Sequence, residues 1–304
     1  MSNKKKVPEV SVAIPSYNRA HLLPNAIKSI LKQSVKDVEI IIADDGSTDN
    51  TEELIKGLQK KYPIIIYVKS PVNMGEAATR NLAIQNATGK YLAFLDSDDE
   101  WLPGKLKAQI DFLEKKSNYD AVSTNYFLVD QAGKRSRSQS WFTKFELTAL
   151  NLLKKGCDIS AGSTMVVRRE VFEKIGFFDE LLPIFVDLDW LCRFCDAGGK
   201  MGKVEECLVL YNKAPMRTGL FLELGVKAFK KKNSLLLKRF SLINRAHIES
   251  QFYEYISHAY LVNGPFSKFF YTRCLCLFLR PLVNVGNYKH LFFELFRYML
   301  GKKK

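Results

Sequence analysis

Cysteine is sparse in this sequence. The 304 residues hold six, Cys157, Cys192, Cys195, Cys207, Cys274 and Cys276, scattered through a chain too long to need disulfides. Cys192 and Cys195 stand at C-x-x-C spacing, but no second cysteine or histidine pair follows at zinc spacing. The pair reads as two packed thiols on a helix. Histidine is scarcer still, and none of the four (His21, His247, His258 and His290) is assigned to catalysis. No window holds eighteen uninterrupted apolar residues. The densest, FFYTRCLCLFLRPLVNVG, is broken by Arg273, Arg280 and Pro281 and makes a poor membrane span. The opening MSNKKKVPEV carries charge and no apolar stretch, so the expectation is no secretory signal and a reducing, cytoplasmic compartment. No internal repeat and no low-complexity linker is found.

Positive charge is plentiful and uneven. The formal net charge is +14, and residues 226–304, with ten Lys and five Arg against three Glu, carry +12 of it. The first 225 residues are close to balanced, and with 47% hydrophobic residues the chain can build a sizeable core.

Strand and helix signals alternate over residues 10–116. EVSVAIPSYN, VEIIIADDGSTD, IIIYVKS and KYLAFLDSDD read as buried strands. HLLPNAIKSILKQS, STDNTEELIKGLQKKY, GEAATRNLAIQNATG and LPGKLKAQIDFLEKK read as helices between and after them. With no hairpin signal, the pattern predicts crossovers and a mostly parallel sheet covered on both faces. After 120 the rhythm changes: a strand, a turn at Ala132-Gly133 and an exposed basic stretch, then a strand, a short helix and a loop in SAGSTMVVRREVFEKIGFFDE, then a helix in VDLDWLCRFCDAGG.

Polar loops at the carboxyl ends of such strands form the ligand crevice. PSYNR, ADDGSTD and LDSDDE all fall there. The last packs Asp96, Asp98 and Asp99 around a single serine. Two like charges about 4 Å apart repel by roughly 1 kcal/mol in water and about 4 at an effective dielectric of 20, so the cluster calls for a cation. Asp96-Ser97-Asp98 is a D-x-D pattern, a spacing at which carboxylates hold Mg²⁺ or Mn²⁺ and share it with substrate phosphates. Alone, the pattern is equally a solvated acidic loop. Asp44 and Asp45 end a second strand, and Tyr17, near the end of the first, places an aromatic ring where a nucleobase stacks. Arg80 is positioned to counter the acids or touch a phosphate.

These segments resemble the family 2 glycosyltransferases, inverting enzymes of the GT-A fold. The resemblance rests on VSVAIPSYNRAHLLPNAIKSILKQ, EIIIADDGSTDNT, NMGEAATRNLAI and YLAFLDSDDEWLPGKL and covers roughly residues 9–212. It implies an α/β fold with a Rossmann-like, mostly parallel mixed sheet flanked by helices, followed by a helical, basic C-terminal extension. The expected organisation is a basic tail over 1–8, a GT-A domain over 9–220 (nucleotide-binding half 9–116, acceptor half 117–220) and a helical, amphipathic region over 221–304. By the same resemblance, the nucleotide-sugar site comprises Pro15, Tyr17, Asn18, Arg19, Asp44, Asp45, Arg80, Asp96 and Ser97. Asp98, with Asp96, would hold Mn²⁺ or Mg²⁺. The family's acidic motif before the final helix is E-D-x-D. Val186-Asp187-Leu188-Asp189 keeps both aspartates and loses the glutamate, which assigns Asp187 as general base and Asp189 as the fallback.

The resemblance further implies a UDP-sugar donor and a glycan or polyprenyl-diphosphate-linked acceptor, as in capsule or O-antigen assembly. Relatives carry a histidine after a Y-R pair near the domain's end. Here YNKAPMR has none, and Lys213 or Arg217 is the expected replacement at the diphosphate. The basic, aromatic C-terminal region is expected to lie on an anionic membrane surface, which makes the protein peripheral at the inner face of the cell membrane. Packing on the body or on a second subunit is the alternative, which leaves a homo-oligomer open. Nucleic acid is not an expected partner, since no recognition motif accompanies the basic residues. The rival functions are a sugar nucleotidyltransferase, disfavoured because PSYNRAHLL lacks a glycine-rich phosphate loop, and a catalytically weak nucleotide-sugar-binding module at the membrane.

Overall fold

The computed structural model describes residues 7–138, 146–156, 162–212 and 217–279. Lys213, the first six residues and the basic C-terminus beyond 279 lie outside the described residues. The chain divides into two compact units, Met1–Pro215 and Met216–Lys304.

In the first unit, β1 (Val10–Ser16), β2 (Val38–Asp44), β3 (Ile65–Lys69) and β4 (Tyr91–Phe94) are parallel, β1 lying between β2 and β4. They are joined by α1 (Leu23–Leu31), α2 (Thr51–Lys61) and α3 (Glu76–Gln85). Ile40 to Ala43 are all buried because helices cover both faces of the sheet, which is why β2 reads as a continuous apolar run and not as an alternation. In α1, Leu23, Ala26, Ile27 and Ile30 are buried at helical spacing, and a proline sits in its first turn, where a missing N–H costs nothing.

The second half of this unit completes the sheet with antiparallel and long-range pairings. It comprises β5 (Glu100–Trp101), α4 (Lys105–Lys115), β6 (Ala121–Val129), β7 (Arg135–Arg137), α5 (Ala149–Lys155), β8 (Val166–Arg168), α6 (Glu170–Ile175), α7 (Val186–Asp196) and β9 (Met201–Asn212). The strand order is β3-β2-β1-β4-β8-β6-β9-β5, with β7 paired to β6. β8 runs antiparallel to β4 and β6, whereas β9 is parallel to β6 with irregularities at Thr124–Tyr126. One core joins β1, β2 and β4 to α1 and α4. A second cluster stacks Phe172 on Trp190 at 4.7 Å, with Phe94, Phe178 and Phe194 around them, and so anchors α6 and α7. The Trp190 indole N–H donates to the Gly176 carbonyl at 3.1 Å, fixing the loop that leads into α7.

The second unit is helical: α8 (Gly219–Lys232), α9 (Ser234–Lys238), α10 (Leu242–Asn263) and α11 (Phe266–Phe278). Phe229, Phe252, Ile256, Phe269 and Cys276 are buried, and Lys230 pairs with Glu249 at 2.5 Å. Leu220, Leu224, Leu235, Leu242, Phe270 and Phe278 stay exposed beside the lysines. No helix among the described residues is long and apolar enough to cross a membrane.

Candidate active site

The loops after β1 and β2 lock together first. Asn18 adopts a left-handed backbone (φ 53), a conformation asparagine tolerates better than most residues. Its N–H donates to Ser47 Oγ at 2.8 Å, and its Oδ1 accepts from the Thr48 N–H at 2.8 Å. Asp44 is fully buried and accepts from the Ser47 N–H at 2.9 Å and from the Tyr67 hydroxyl. Burial and the Asp44 carboxylate push the Tyr67 phenol up, so it stays a donor. Asp45 is buried as well, and its oxygens accept from Met74 N at 2.6 Å and Gly75 N at 3.0 Å. It therefore shapes the entry to α3. Gly46 is required at this junction: φ is +76, and a Cβ there would lie 2.9 Å from the Val72 carbonyl carbon. Pro15 is half-buried within β1, and the Tyr17 ring is 45% exposed just beyond it.

Position Arg80 on that fixed helix, and its guanidinium reaches the acid cluster. Arg80 is 3% exposed. Its Nη2 donates to Asp96 Oδ1 and its Nη1 to Asp187 Oδ1, each at 2.9 Å, and Glu76 Oε1 also lies 2.9 Å from Nη1. Burial alone would lower the guanidinium's pKa, but the three carboxylates outweigh it and raise it well above normal. Asp187 moves the other way. Burial pushes its carboxyl up to about 6, opposed by Arg80 and reinforced by Glu76 and Asp96. Asp189, two residues on and so on another side of the helix, is fully buried and takes the Arg193 guanidinium at 3.0 Å. Arg193 in turn donates to the carbonyls of Ile175 and Phe177. Asp189 thus braces the loop before α7, while Asp187 faces the cluster. Asn18 and Phe185 are the two non-glycine residues with positive φ among the described residues, and both border this site.

The LDSDD loop sorts its acids by environment. The side chains of Asp96, Asp98 and Asp187 keep 26%, 25% and 27% exposure and are reachable by a ligand, whereas Asp99 is 1% exposed. Asp98 is shifted up by burial and then by Asp96, with Arg19, 3.9 Å away, opposing. Burial, then Asp96, pushes Asp99 up to about 8. Ser163 Oγ and the Asn212 N–H, at 2.8 Å, donate to its two oxygens.

Three residues of this arrangement have no local signal in the sequence. Ser163 also accepts from the Asp96 N–H at 3.1 Å, and its carbonyl accepts from Trp101 Nε1 at 2.9 Å. Gly162 lies against Asp96 so closely that a Cβ would come 2.2 Å from Oδ2. Asn212, where relatives approach their histidine, donates through its amide to the Asp98 carbonyl. Ser97 is buried between these contacts. Of the two expected histidine replacements, Arg217 belongs to the second unit, its guanidinium 5.5 Å over the Phe221 ring.

Among the described residues no group of three or more His, Cys, Asp or Glu is placed to cage a metal ion. A two-carboxylate set suits Mg²⁺ or Mn²⁺ nonetheless, since these ions keep waters and take their remaining oxygens from substrate phosphates. Asp98 has the geometry for this: it is exposed on one side, and among the described residues Arg19 is its one ion-pair contact, at 3.9 Å.

The comparisons agree with this architecture. The profile of the family described as Glycosyl transferase family 2 matches residues 11–176, and the chain belongs to that family. An uncharacterized glycosyltransferase of Rickettsia conorii is 45% identical over 126 residues, which are 41% of this chain and 20% of that protein. One from Rickettsia prowazekii is 35% identical over 198 residues, 62% of this chain and 58% of that one. The putative teichuronic acid biosynthesis glycosyltransferase TuaG of Bacillus subtilis is 41% identical over 133 residues, 44% and 52% of the two chains. The chain thus spans about a fifth to about six tenths of the length of these relatives. Among solved structures, S. aureus TarS 1–349 in complex with UDP has a TM-score of 0.58 at 20% identity, covering 83% of this chain and 72% of that one. The mannosyltransferase PcManGT from Pyrobaculum calidifontis, solved with GDP-Man and Mn²⁺, has 0.58 at 16% identity, covering 98% and 89%. These likenesses show the fold, which is of the GT-A type.

Proposed function

We propose that this chain is an inverting, divalent-metal-dependent glycosyltransferase that moves a sugar from a nucleotide-sugar to a hydroxyl of a glycan or lipid-linked glycan in cell-surface polysaccharide synthesis. The observation that carries the reading is the Arg80 bridge: one buried cation joins the expected metal-side acid Asp96 to the expected base Asp187. A reaction centre that needs a base beside a diphosphate requires those two groups close together and held apart in charge.

Asp98, with Asp96, would hold the ion, which when bound neutralises charge growing on the diphosphate. Asp187 takes the acceptor hydroxyl's proton; its raised pKa, about 6, suits a base working near neutrality. The acceptor oxygen then forms its bond to the anomeric carbon while the bond to the diphosphate oxygen breaks, and that oxygen leaves with the electron pair. One displacement inverts the centre. Tyr17 offers its exposed ring to the base, and Asn18 and Asp44 fix the loops beneath it. UDP-sugars are the favoured donors, since solved structures of the same fold include complexes with UDP and UDP-GlcNAc as well as GDP-Man.

The exposed leucines and phenylalanines of the second unit, set among its lysines, support attachment to an anionic membrane face. In the full chain, Leu224→Glu with Phe270→Glu is expected to abolish cosedimentation with phosphatidylglycerol vesicles; unchanged binding rejects attachment through this unit.

Calorimetry with UDP-glucose, UDP-GlcNAc and GDP-mannose, with and without Mn²⁺, tests the central reading. Manganese-assisted binding of at least one donor, and slow release of its nucleoside diphosphate that Asp98→Ala abolishes, is expected. No uptake of any donor refutes it.

A further inference from the structure

The β6–β7 hairpin overhangs a cavity of about 500 Å³ on the Asp98 side of the acid loop. Its walls include Arg19 and Asn25 from the start of α1, Asp98 and Glu100 from the acid loop, Gln131 from the hairpin, and Asn212 from β9. Carboxylates, amides and a guanidinium are the groups that exchange hydrogen bonds with neighbouring hydroxyls. Acids outnumber the single arginine, so the cavity favours a neutral, hydroxyl-bearing edge over a phosphate or carboxylate. The walls are preformed. Asp130 Oδ1 accepts from Ala132 N at 3.0 Å and Lys134 N at 2.9 Å, which sets the hairpin turn, and Asn212 is tied to Asp99 and to the Asp98 carbonyl.

Past the turn the charge reverses. Lys134, Arg135 and Arg137 are exposed, and no acid lies between residues 132 and 138. Among the described residues, β7 pairs only with β6. Arg135 and Arg137 alternate with Ser136 and so project from one face, about 7 Å apart. Basic side chains also guard a strand edge against pairing. A row of three cations that begins at the rim of a hydroxyl-suited cavity fits a ligand carrying both features.

We propose that the β6–β7 hairpin is an acceptor-binding arm for an anionic glycan: the cavity takes the hydroxyl edge of one sugar unit, and Lys134, Arg135 and Arg137 take the negative charges of the units next to it. This rests on the transferase reading above. The anion is a uronate carboxylate or a phosphodiester, and the choice of probe separates the two.

The test uses the full chain and fluorescently labelled oligogalacturonate hexamer, glycerol-phosphate hexamer, neutral maltohexaose and a single-stranded DNA hexamer. The wild type is expected to bind at least one anionic glycan tenfold more tightly than maltohexaose and more tightly than DNA; the tighter of the two names the anion. Lys134→Ser/Arg135→Ser/Arg137→Ser is expected to weaken that binding at least tenfold. Lys56→Ser/Lys60→Ser/Lys61→Ser on α2 is expected to stay within twofold of wild type, and Gln131→Ala to weaken the glycan at least threefold while leaving DNA unchanged. No glycan binding, equal loss in the α2 variant, or DNA binding as tight as the glycan overturns the proposal. Manganese-assisted donor uptake, measured on the same variants, reports separately on folding and on the transferase reading.

Discussion

Arg80 and Asp187 stand 107 residues apart in the chain and meet at 2.9 Å. The same guanidinium holds Asp96 at 2.9 Å, so a single buried cation sets the charge balance of the whole acid cluster. An opposite charge at this range lowers a carboxyl pKa by about 1–3 units. Burial already holds Asp187 up at about 6. Replacing Arg80 with methionine is therefore expected to move the acid limb of the transfer rate upward by more than about one unit. A pH–rate profile of Arg80→Met whose limb stays in place would remove Arg80 from the proposed mechanism.

Asp187 itself is expected to be needed only for the proton. In wild type the rate should fall as pH drops below about 6, because the protonated carboxyl no longer accepts. Asp187→Asn should lose transfer by about 10²–10⁴-fold. Donor affinity, read by calorimetry, should stay within about threefold, since the side chain contacts Arg80 and not the expected nucleotide pocket. Asp189→Asn, by contrast, should cost stability through the Arg193 brace, and unfolding by circular dichroism checks the difference.

Gly162→Ala pushes a methyl group into the space of the Asp96 carboxylate, and Ser163→Ala removes a donor to Asp99 and an acceptor for Asp96 N–H. Partners that orient metal ligands contribute about 10–100-fold to affinity. Both variants are expected to weaken Mn²⁺ binding, read by the electron paramagnetic resonance of free manganese, by at least about tenfold, and Ser163→Thr should recover most of it. Undiminished manganese affinity in both would reduce this contact to packing.

Lys105 is fully buried, its Nζ lies 3.8 Å over the Trp101 ring, and it has no hydrogen-bond acceptor. The ring face attracts an ammonium, but burial dominates and drives the pKa well below normal. The folded chain then holds a neutral amine that the unfolded chain protonates, so stability falls as pH drops from the unfolded value of about 10.4. Lys105→Met is expected to be more stable at pH 7 by about 1–3 kcal/mol, the cost of an unpartnered buried polar group, and to lose that advantage toward pH 10. Denaturant titrations at both values decide it.

The sequence makes the nucleotide half legible because its signals are local. Runs such as Ile40–Ala43 and the helical spacing of Leu23, Ile27 and Ile30 each announce their element within a few residues. The helix of Asp187 and the short helix at 170–175 are readable for the same reason. β9 is harder to see. Its exposed Glu205 and Glu206 interrupt the apolar pattern where the pairing with β6 is irregular. β5 has only two residues, and α5 only seven, its start marked by Thr148 capping Asn151 N at 3.1 Å. In the site, the D-x-D pattern, Asp187 and Arg80 stand out by charge. Ser163 reaches Asp99 across 64 positions and Asn212 across 113, and no local pattern signals such contacts.

The family profile stops at residue 176, before Asp187, yet Arg80 draws one of its counter-anions from beyond that border. Cutting the chain there would strand a dehydrated guanidinium with one fewer carboxylate and delete the helix that carries Trp190 into the aromatic cluster. The segment that defines membership is thus not a separable folding piece: sugar-nucleotide half and acceptor half are soldered by one arginine, and evolution can exchange neither without supplying a substitute anion at the seam.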